Sequence, residues 1–193
     1  FDLNINIELD KININKVLDT EPILFSLIKS GLLFNSNISA NIFLNSEKIL
    51  DHRLLKELSI NFIVKEGNII FDNSQFTIDK IGFLKLTNGV ITNKNNKFTF
   101  YGNFNLKLND SSKFFSFIQL QKNKRKQIKN IYFNIEFDLL NNQLYLDNFK
   151  IDNLKSNLET KNILDNFNND KEQIKNLIML NNLIKKIITS YFG

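Results

Sequence analysis

Apolar and polar residues alternate along most of the first 150 positions. In the first run, Leu3, Ile5 and Ile7 are separated by Asn4 and Asn6. Successive side chains of a β-strand point to opposite faces, so each such run predicts a strand with one apolar face and one face rich in Asn, Lys and Asp. The alternating runs span residues 3–9, 37–44, 58–65, 98–108, 131–139 and 144–146.

Turn residues separate these runs. Asn tolerates positive φ and can stand where Gly usually stands, so we interpret Asn141-Asn142 as a two-residue turn between two strands. Strands joined by short turns are expected to be antiparallel neighbours in one sheet. The turn signals are Glu66-Gly67-Asn68, Asn88-Gly89, residues 93–96 and Asn141-Asn142.

The apolar spacing changes from two to three or four in two places. Asp110-Ser111-Ser112 is an N-cap cluster ahead of a Phe-rich segment, which predicts a short helix near 112–122 with a basic C-terminal end. A second, amphipathic helix is predicted over 170–192. The apolar run 22–34 favours a third helix over 21–33 and is too short to span a bilayer. The residues that form the stripe of the second helix are Ile174, Leu177, Ile178, Ile184, Ile187, Ile188 and Tyr191.

Together these elements predict a mainly β fold: a long antiparallel meander sheet that forms a curved groove, with a short inserted helix and an amphipathic C-terminal helix. We expect a single β-groove module over 1–193. It comprises a leading part at 1–36, the antiparallel sheet with its helix near 112–122 at 37–151, and the C-terminal helix at 170–192. Because the chain opens with Phe1 and a strand, we expect it to be a fragment of a larger protein.

Composition excludes several kinds of chemistry. The 193 residues include 33 Asn and 27 Ile but no Cys, so disulfides, thiol nucleophiles and cysteine zinc sites are ruled out. The one His, His52, follows Asp51, but no serine elbow, second His or metal-ligand spacing accompanies it. We therefore interpret His52 as a surface or loop-capping residue, and we expect no enzyme activity, no cofactor and no metal.

The apolar faces of the strands are the most informative feature. They are either the inner face of a closed β-sandwich, covered by a second sheet or by helices, or an open groove for a lipid. The pattern leaves both interpretations open. If the groove is open, the predicted lipid-binding residues are Ile60, Phe62, Phe98, Phe100, Phe104, Leu106, Ile131, Phe133, Ile135 and Phe137.

A basic segment follows the first predicted helix. Lys122, Lys124, Arg125 and Lys126 are either a solvated helix end or a contact for lipid headgroups, a membrane surface or nucleic acid. The net charge is only +5 and acidic residues are spread through the chain. We therefore expect no nucleic-acid partner.

The order of the segments resembles the C-terminal region of AsmA-like proteins, particularly those of alphaproteobacteria, over about residues 37–193. The segments that carry the resemblance are 58–65, Gly67-Asn68-Ile69, Asp72-Asn73-Ser74, Ile81-Gly82, 84–86, Ser111-Ser112-Lys113-Phe114-Phe115, 122–129, 131–139, 143–151, Asn182-Leu183-Ile184 and Ser190-Tyr191-Phe192-Gly193.

This resemblance implies a function. AsmA-like proteins are anchored in the inner membrane by an N-terminal helix, and their periplasmic part is a β-groove with an apolar floor that is thought to carry phospholipid toward the outer membrane. By this resemblance the chain would lie on the periplasmic side of the Gram-negative inner membrane, with its anchor outside the fragment. The family has no catalytic residues to carry over.

Three hypotheses follow. The first is a non-enzymatic module that carries phospholipid along an apolar β-groove between the two membranes and supports outer-membrane assembly. The second is a closed β-sandwich with a structural or adhesive role in the cell envelope, and the third is a polysaccharide-binding or hydrolysing β-domain, for which few stacking aromatics are available. In the first, the C-terminal helix docks on the sheet and closes the groove, with Lys175 and Lys186 facing water, whereas the rival placement of that helix is on a membrane surface.

Overall fold

The computed structural model describes residues 2–13, 26, 28, 30–50, 54–94, 97–141, 143–152, 154–170 and 177–192. Asp51, His52 and Arg53 lie outside these residues, as do Ile174 and Lys175. The described strands are β1 Asp2–Leu9, β2 Ile12–Asn13, β3 Ser39–Ser46, β4 Ile49–Leu50, β5 Leu55–Lys65, β6 Asn68–Ile70, β7 Ser74–Ile78, β8 Gly82–Lys94, β9 Lys97–Leu108, β10 Asn130–Asp138, β11 Gln143–Ile151 and β12 Leu154–Lys155, and the α-helices are α1 Ser111–Phe117, α2 Leu158–Asn169 and α3 Leu177–Phe192.

Ten strands form one large sheet, in the order β1-β3-β5-β6-β8-β9-β10-β11-β12, with β7 paired to β5 and β8. Within the large sheet, every strand pair but one is antiparallel, as predicted for the strands of 37–151, and β2 and β4 form a separate parallel pair. The exception is β1, which runs parallel to β3 from Asp2↔Ser39 to Leu9↔Ser46. The predicted mainly β fold with an inserted helix and a C-terminal helix is confirmed.

Two turn predictions were wrong in detail. Asn88 and Gly89 do not end a strand but form a bulge inside β8, where the register to β9 shifts between Thr87 and Val90. The β10–β11 connection is a four-residue loop, because Asp138 pairs with Gln143. The Asp138 carboxylate accepts the N–H groups of Leu140 and Asn141 at 2.9 and 3.0 Å, which stabilises this longer loop.

The helices also differ in extent from their predictions. The predicted N-cap is correct, since the Asp110 carboxylate accepts the Ser112 N–H at 2.8 Å, but α1 ends at Phe117 instead of near 122. Helix α2 was not predicted. In the proposed helix 21–33, Ser26 and Ile28 are helical, and a 3₁₀ turn begins at Leu32. Positions 21–25, 27 and 29 lie outside the described residues.

The buried side chains form two clusters on one face of the sheet. The first, here called the C-terminal cluster, lies between β8–β11 and the three helices, and the second, the N-terminal cluster, lies between β3–β9 and the segment 28–38. The buried members of the C-terminal cluster are Ile81, Leu108, Phe114, Phe115, Ile118, Leu120, Ile128, Ile131, Leu146, Phe149, Ile151, Leu164, Ile187 and Ile188. Those of the N-terminal cluster are Ile28, Ala40, Phe62, Val64, Ile69, Ile91, Phe98 and Leu139.

The three helices and the segment 118–128 therefore cover the sheet at its C-terminal end, and the described residues contain no second large sheet that would complete a β-sandwich. In the part of the chain described, no helix is both long enough and apolar enough to cross a membrane.

Candidate functional site

The strand registers place the ten predicted apolar residues on one face of the sheet. Across β9 and β10, Phe104 lies opposite Phe133 and Phe100 opposite Phe137. On the other side of β9, Phe100 lies opposite Ile91, which pairs with Ile69. Ile69 in turn pairs with Val64 of β5, the strand that carries Ile60 and Phe62 on the same face.

Six of the ten residues line one groove. It has a volume of about 530 Å³ and lies between the floor of the sheet and a roof formed by α1 and α3. The six are Phe104, Leu106, Ile131, Phe133, Ile135 and Phe137. All eighteen lining residues are Ile, Leu or Phe, and the other twelve are Ile78, Ile81, Leu84, Phe114, Phe117, Leu144, Leu146, Phe149, Leu180, Leu183, Ile184 and Ile187.

The other four predicted residues lie elsewhere on the same face. Phe62 and Phe98 are 8% and 7% exposed and belong to the N-terminal cluster, with Ile60 and Phe100 packed against them. The ring of Phe34, from the covering segment, lies 5.4 Å from the ring of Phe98. Phe62 and Phe98 are therefore core, Ile60 and Phe100 are partly buried beside them, and none of the four lines the groove.

A row of aromatic rings nevertheless joins the two clusters. Phe100 lies 6.2 Å from Phe71 on one side and 6.4 Å from Phe104 on the other, between ring centroids. The rings of Phe104 and Phe133 are stacked at 5.4 Å, with 8° between their planes. The row runs across the sheet and ends on α3; in order, its members are Phe62, Phe71, Phe100, Phe104, Phe133, Phe149, Tyr191 and Phe192.

Gly102 shapes the floor beside this row. It lies opposite Ile135, and a Cβ at this position would come within 2.7 Å of the Leu86 Cδ1 and 2.8 Å of the Phe100 Cζ. These distances are shorter than real Cβ contacts, so the missing side chain gives Leu86 and Phe100 their space on the apolar face.

The roof helix α3 is docked at its C-terminal end. Ile187 and Ile188 are 1% and 0% exposed, and the Tyr191 hydroxyl donates to the Phe149 carbonyl at 2.7 Å. Burial raises the pKa of this hydroxyl above its usual value, although a hydrogen bond with Ser156 opposes the shift. In the described residues the helix therefore packs on the sheet, as the docking hypothesis predicted, and Lys186 faces water.

A polar cluster joins the same end of α3 to the start of α2. The Asn157 amide caps α2 by accepting the Thr160 N–H at 2.8 Å, and its Nδ2 donates to the Ser190 carbonyl at 2.6 Å. The hydroxyls of Thr160 and Ser190 lie 2.7 Å apart and are buried. Buried polar groups of this kind stabilise a structure only while they are all paired, so they fix how the two helices meet.

Twelve of the eighteen lining residues were not among the predicted lipid-binding residues. The roof residues Phe114 and Phe117 are three positions apart on α1, and Leu180, Leu183, Ile184 and Ile187 recur at three or four on α3. The predicted apolar stripe of this helix included Ile184 and Ile187 but not Leu180 or Leu183. It did not identify the sheet residues on which each face packs.

The basic segment lies differently from its prediction. Because α1 ends at Phe117, the residues Lys122–Lys124 form a separate 3₁₀ turn, and the assignment of the segment to the end of that helix was wrong. Arg125 has a structural role, since its Nε donates to the Leu120 carbonyl at 2.9 Å. The Lys126 ammonium lies 5.3 Å from the ring centroid of Phe192, the last residue of α3, so this cation lies beside the C-terminal end of a different helix.

The side chains that line the groove provide apolar contacts only. Among the described residues that line it there is no carboxylate, amide, hydroxyl or ammonium group. The one buried side-chain atom that lacks a hydrogen-bond partner in the part of the chain described is Asn105 Oδ1, and Asn105 pairs with Tyr132 on the opposite face.

Comparison of the chain with protein-family models, with curated proteins and with solved structures found no match. The resemblance to AsmA-like proteins therefore stays a prediction.

Proposed function

We propose that this chain is a non-enzymatic module of the bacterial cell envelope that holds the acyl chains of a phospholipid in its apolar groove. The observation that carries the proposal is the groove of about 530 Å³ whose eighteen lining residues are all Ile, Leu or Phe. This volume falls within the range of roughly 300–1,000 Å³ that is usual for small-molecule sites.

The energetics of such a site suit carriage better than tight storage. Moving an acyl chain out of water is favourable by roughly 0.8 kcal/mol per methylene, so the groove retains lipid strongly against an aqueous surrounding. A bilayer offers the same gain, and the groove must match it closely enough to load and unload. An apolar lining without polar anchors supplies this contact without fixing one ligand.

The cellular location and the route of transport are inferred from the resemblance to AsmA-like proteins alone. It points to the periplasmic side of a Gram-negative inner membrane and to transport of phospholipid between the inner and outer membranes. Lys122 and Lys124 extend from the surface turn that follows α1, and we propose them as contacts for lipid headgroups.

A second function is supported by the docking of α3. With Ile188 fully buried, the helix is a firm cover, as a structural or adhesive domain of the cell envelope requires. In that case the groove stays empty of lipid.

Photo-crosslinking separates the two functions. A photoreactive residue at Phe133 lies in the groove, and one at Asn103 is the control, because Asn103 lies on the opposite face of the neighbouring strand. We expect Phe133 to capture phospholipid in cells and Asn103 to capture none. Equal labelling at the two positions, or none at either with both proteins folded, would support the structural function instead.

A further inference from the structure

A second concave site lies between β11, the short strand β12 and helix α2. Its volume is about 490 Å³, and it shares only Leu146 and Phe149 with the groove. The Asn168 side chain holds α2 beside β11, because its Oδ1 accepts the Leu146 N–H and its Nδ2 donates to the Leu146 carbonyl, both at 2.9 Å. Unlike the groove, this cleft is lined by charged side chains, which are Lys150, Lys155, Lys161, Asp147 and Asp165.

A β-bulge in β11 brings Lys150 to this cleft. The register to β10 skips one position between Asp147 and Lys150, so two residues of β11 stand opposite Phe133. One of them, Asn148, has a φ of 51°, a left-handed conformation that occurs at bulges. Strict alternation would place Asp147 and Lys150 on opposite faces of the sheet. The extra residue puts both of them on its polar face.

The three lysines of the cleft stand where local electrostatics oppose a positive charge. Lys150 lies directly opposite Lys155 in the β11–β12 pair, and like charges in this position destabilise a strand pair. Lys161 is the fourth residue of α2, close to the positive end of the helix dipole. In the part of the chain that the structure describes, none of the three ammonium groups lies within 4.0 Å of a carboxylate oxygen. An anion bound among them would relieve this repulsion.

We propose that the cleft binds a phosphate group, with Lys150, Lys155 and Lys161 as its cationic contacts. A phosphate monoester carries about −1.5 to −2 charge near pH 7 and three acceptor oxygens, so it can pair with more than one ammonium group. The cleft has room for such a ligand, since small-molecule sites commonly measure roughly 300–1,000 Å³.

The carboxylates of the cleft limit the class of ligand. Asp147 and Asp165 offset two of the three lysine charges, so a ligand with one phosphate group suits the lining better than a polyanion such as a nucleic acid. The phosphate belongs either to a lipid headgroup or to a soluble phosphate ester. The site does not depend on the function proposed for the groove.

The test is a titration of the isotopically labelled 193-residue protein with inorganic phosphate, followed by amide chemical shifts. We expect saturable shifts that cluster in β11, β12 and the first turn of α2. Lys155→Gln removes one cationic contact and should weaken phosphate binding about tenfold. The variant is expected to stay folded, because Lys155 is exposed and its loss relieves the repulsion of Lys150. Asp165→Asn removes an opposing charge and should lower the dissociation constant.

Lys85→Gln is the matched control. It removes the same charge from the same face of the sheet, three strands away from Lys150, and should leave the dissociation constant unchanged. Shifts that do not saturate, or an equal loss of phosphate binding in the Lys155 and Lys85 variants, overturn the proposal, whatever the result of photo-crosslinking in the groove.

A flotation assay with vesicles of phosphatidylglycerol and phosphatidylcholine separates the two sources of phosphate. If the ligand is a headgroup, the wild-type protein floats with the vesicles and Lys155→Gln floats less. If it is a soluble ester, flotation is the same for both proteins and the saturable shifts with inorganic phosphate persist. Both results support a phosphate site, and they assign it to different ligands.

Discussion

The strands at both ends of the apolar face show the same alternation of apolar and polar residues, but their apolar side chains differ in burial. At the C-terminal end, Leu108 and Ile131 are 7% and 3% exposed beneath the helices. At the N-terminal end, Leu3 and Ile5 remain more than a third exposed on the edge strand β1. Strand alternation therefore decides which face a side chain takes, and only the covering segments decide whether that face becomes core, groove or open surface.

The largest effect is expected when an Ile is replaced by Asp at each end of the apolar face and the two losses of stability are compared. Ile188→Asp puts an unpaired charge into the C-terminal cluster and should lower the free energy of unfolding by about 4 kcal/mol or more. Ile5→Asp makes the same change on the open edge and should cost less than about 1 kcal/mol. Urea denaturation of both proteins measures the two values, and similar losses would show that β1 is as well covered as α3.

The next largest loss of stability is expected from a substitution in the floor of the groove. Gly102→Ala pushes a methyl group against Leu86 and Phe100, and overpacking of this kind costs roughly 1–3 kcal/mol. It should also reduce lipid capture at Phe133. Gly89→Ala is a useful comparison, because its Cβ would also press on Leu86 but at the bulge, away from the residues that line the groove. Unchanged stability and capture in the Gly102 variant would count against the described packing of the floor.

The contact that attaches α3 to α2 is expected to contribute less to the free energy of unfolding than the packing of the floor. Ser190→Ala removes the hydroxyl that lies beside Thr160 and should lower the free energy of unfolding by about 1–2 kcal/mol. Amide hydrogen exchange should accelerate in α3 more than in β9, because the contact fastens the helix and not the sheet. Ser116→Ala, at an exposed site on α1, is the control. Equal acceleration in α3 and β9 would instead mean that roof and floor unfold together.

The smallest effect lies in the β10–β11 loop, next to Leu139 of the N-terminal cluster. Hydrogen bonds from the Asn141 backbone N–H and side chain hold the pKa of the Asp138 carboxyl below its usual value of 3.8. The Asp138 side chain is partly exposed in a surface loop and is screened by solvent, so it should contribute less than about 1 kcal/mol at neutral pH.

A lowered pKa in the folded state means that this contribution is complete well above pH 3.8 and is lost as the pH falls through the folded-state value. Thermal melts of wild type and Asp138→Asn should therefore differ at pH 7 and converge in strong acid. A difference that grows on acidification would contradict the assigned hydrogen bonds.

The sequence predicted those features that depend on local periodicity. The shared face of Phe100, Phe104 and Phe133 follows from alternation alone, and the cap at Asp110 follows from its neighbours. Helix α2 was missed because its Asn- and Asp-rich segment carries only a weak apolar stripe. Its stability comes from contacts distant in sequence, such as that between Asn168 and Leu146.

The groove was predicted only in part for the same physical reason. Whether Phe62 is core and Phe133 lines a groove depends on which segment crosses each of them, and no local pattern records that. Asn88-Gly89 shows that a local pattern can also fit two structures. The same residues suit a turn and a bulge, and the pairing of β8 with β9 decides between them.

The parallel pairing of β1 with β3 has a consequence for the order of folding. β8 and β9 meet through a short connection, as do β10 and β11, so the contacts within each pair form early and lose little chain entropy. Asp2 finds Ser39 only after a crossover, and that pairing needs a β3 already aligned on β5. β1 precedes β3 and β5 in the chain, yet it is expected to join the sheet only after those two strands have paired. During that interval the edge of β3 is exposed to any other chain in the same state.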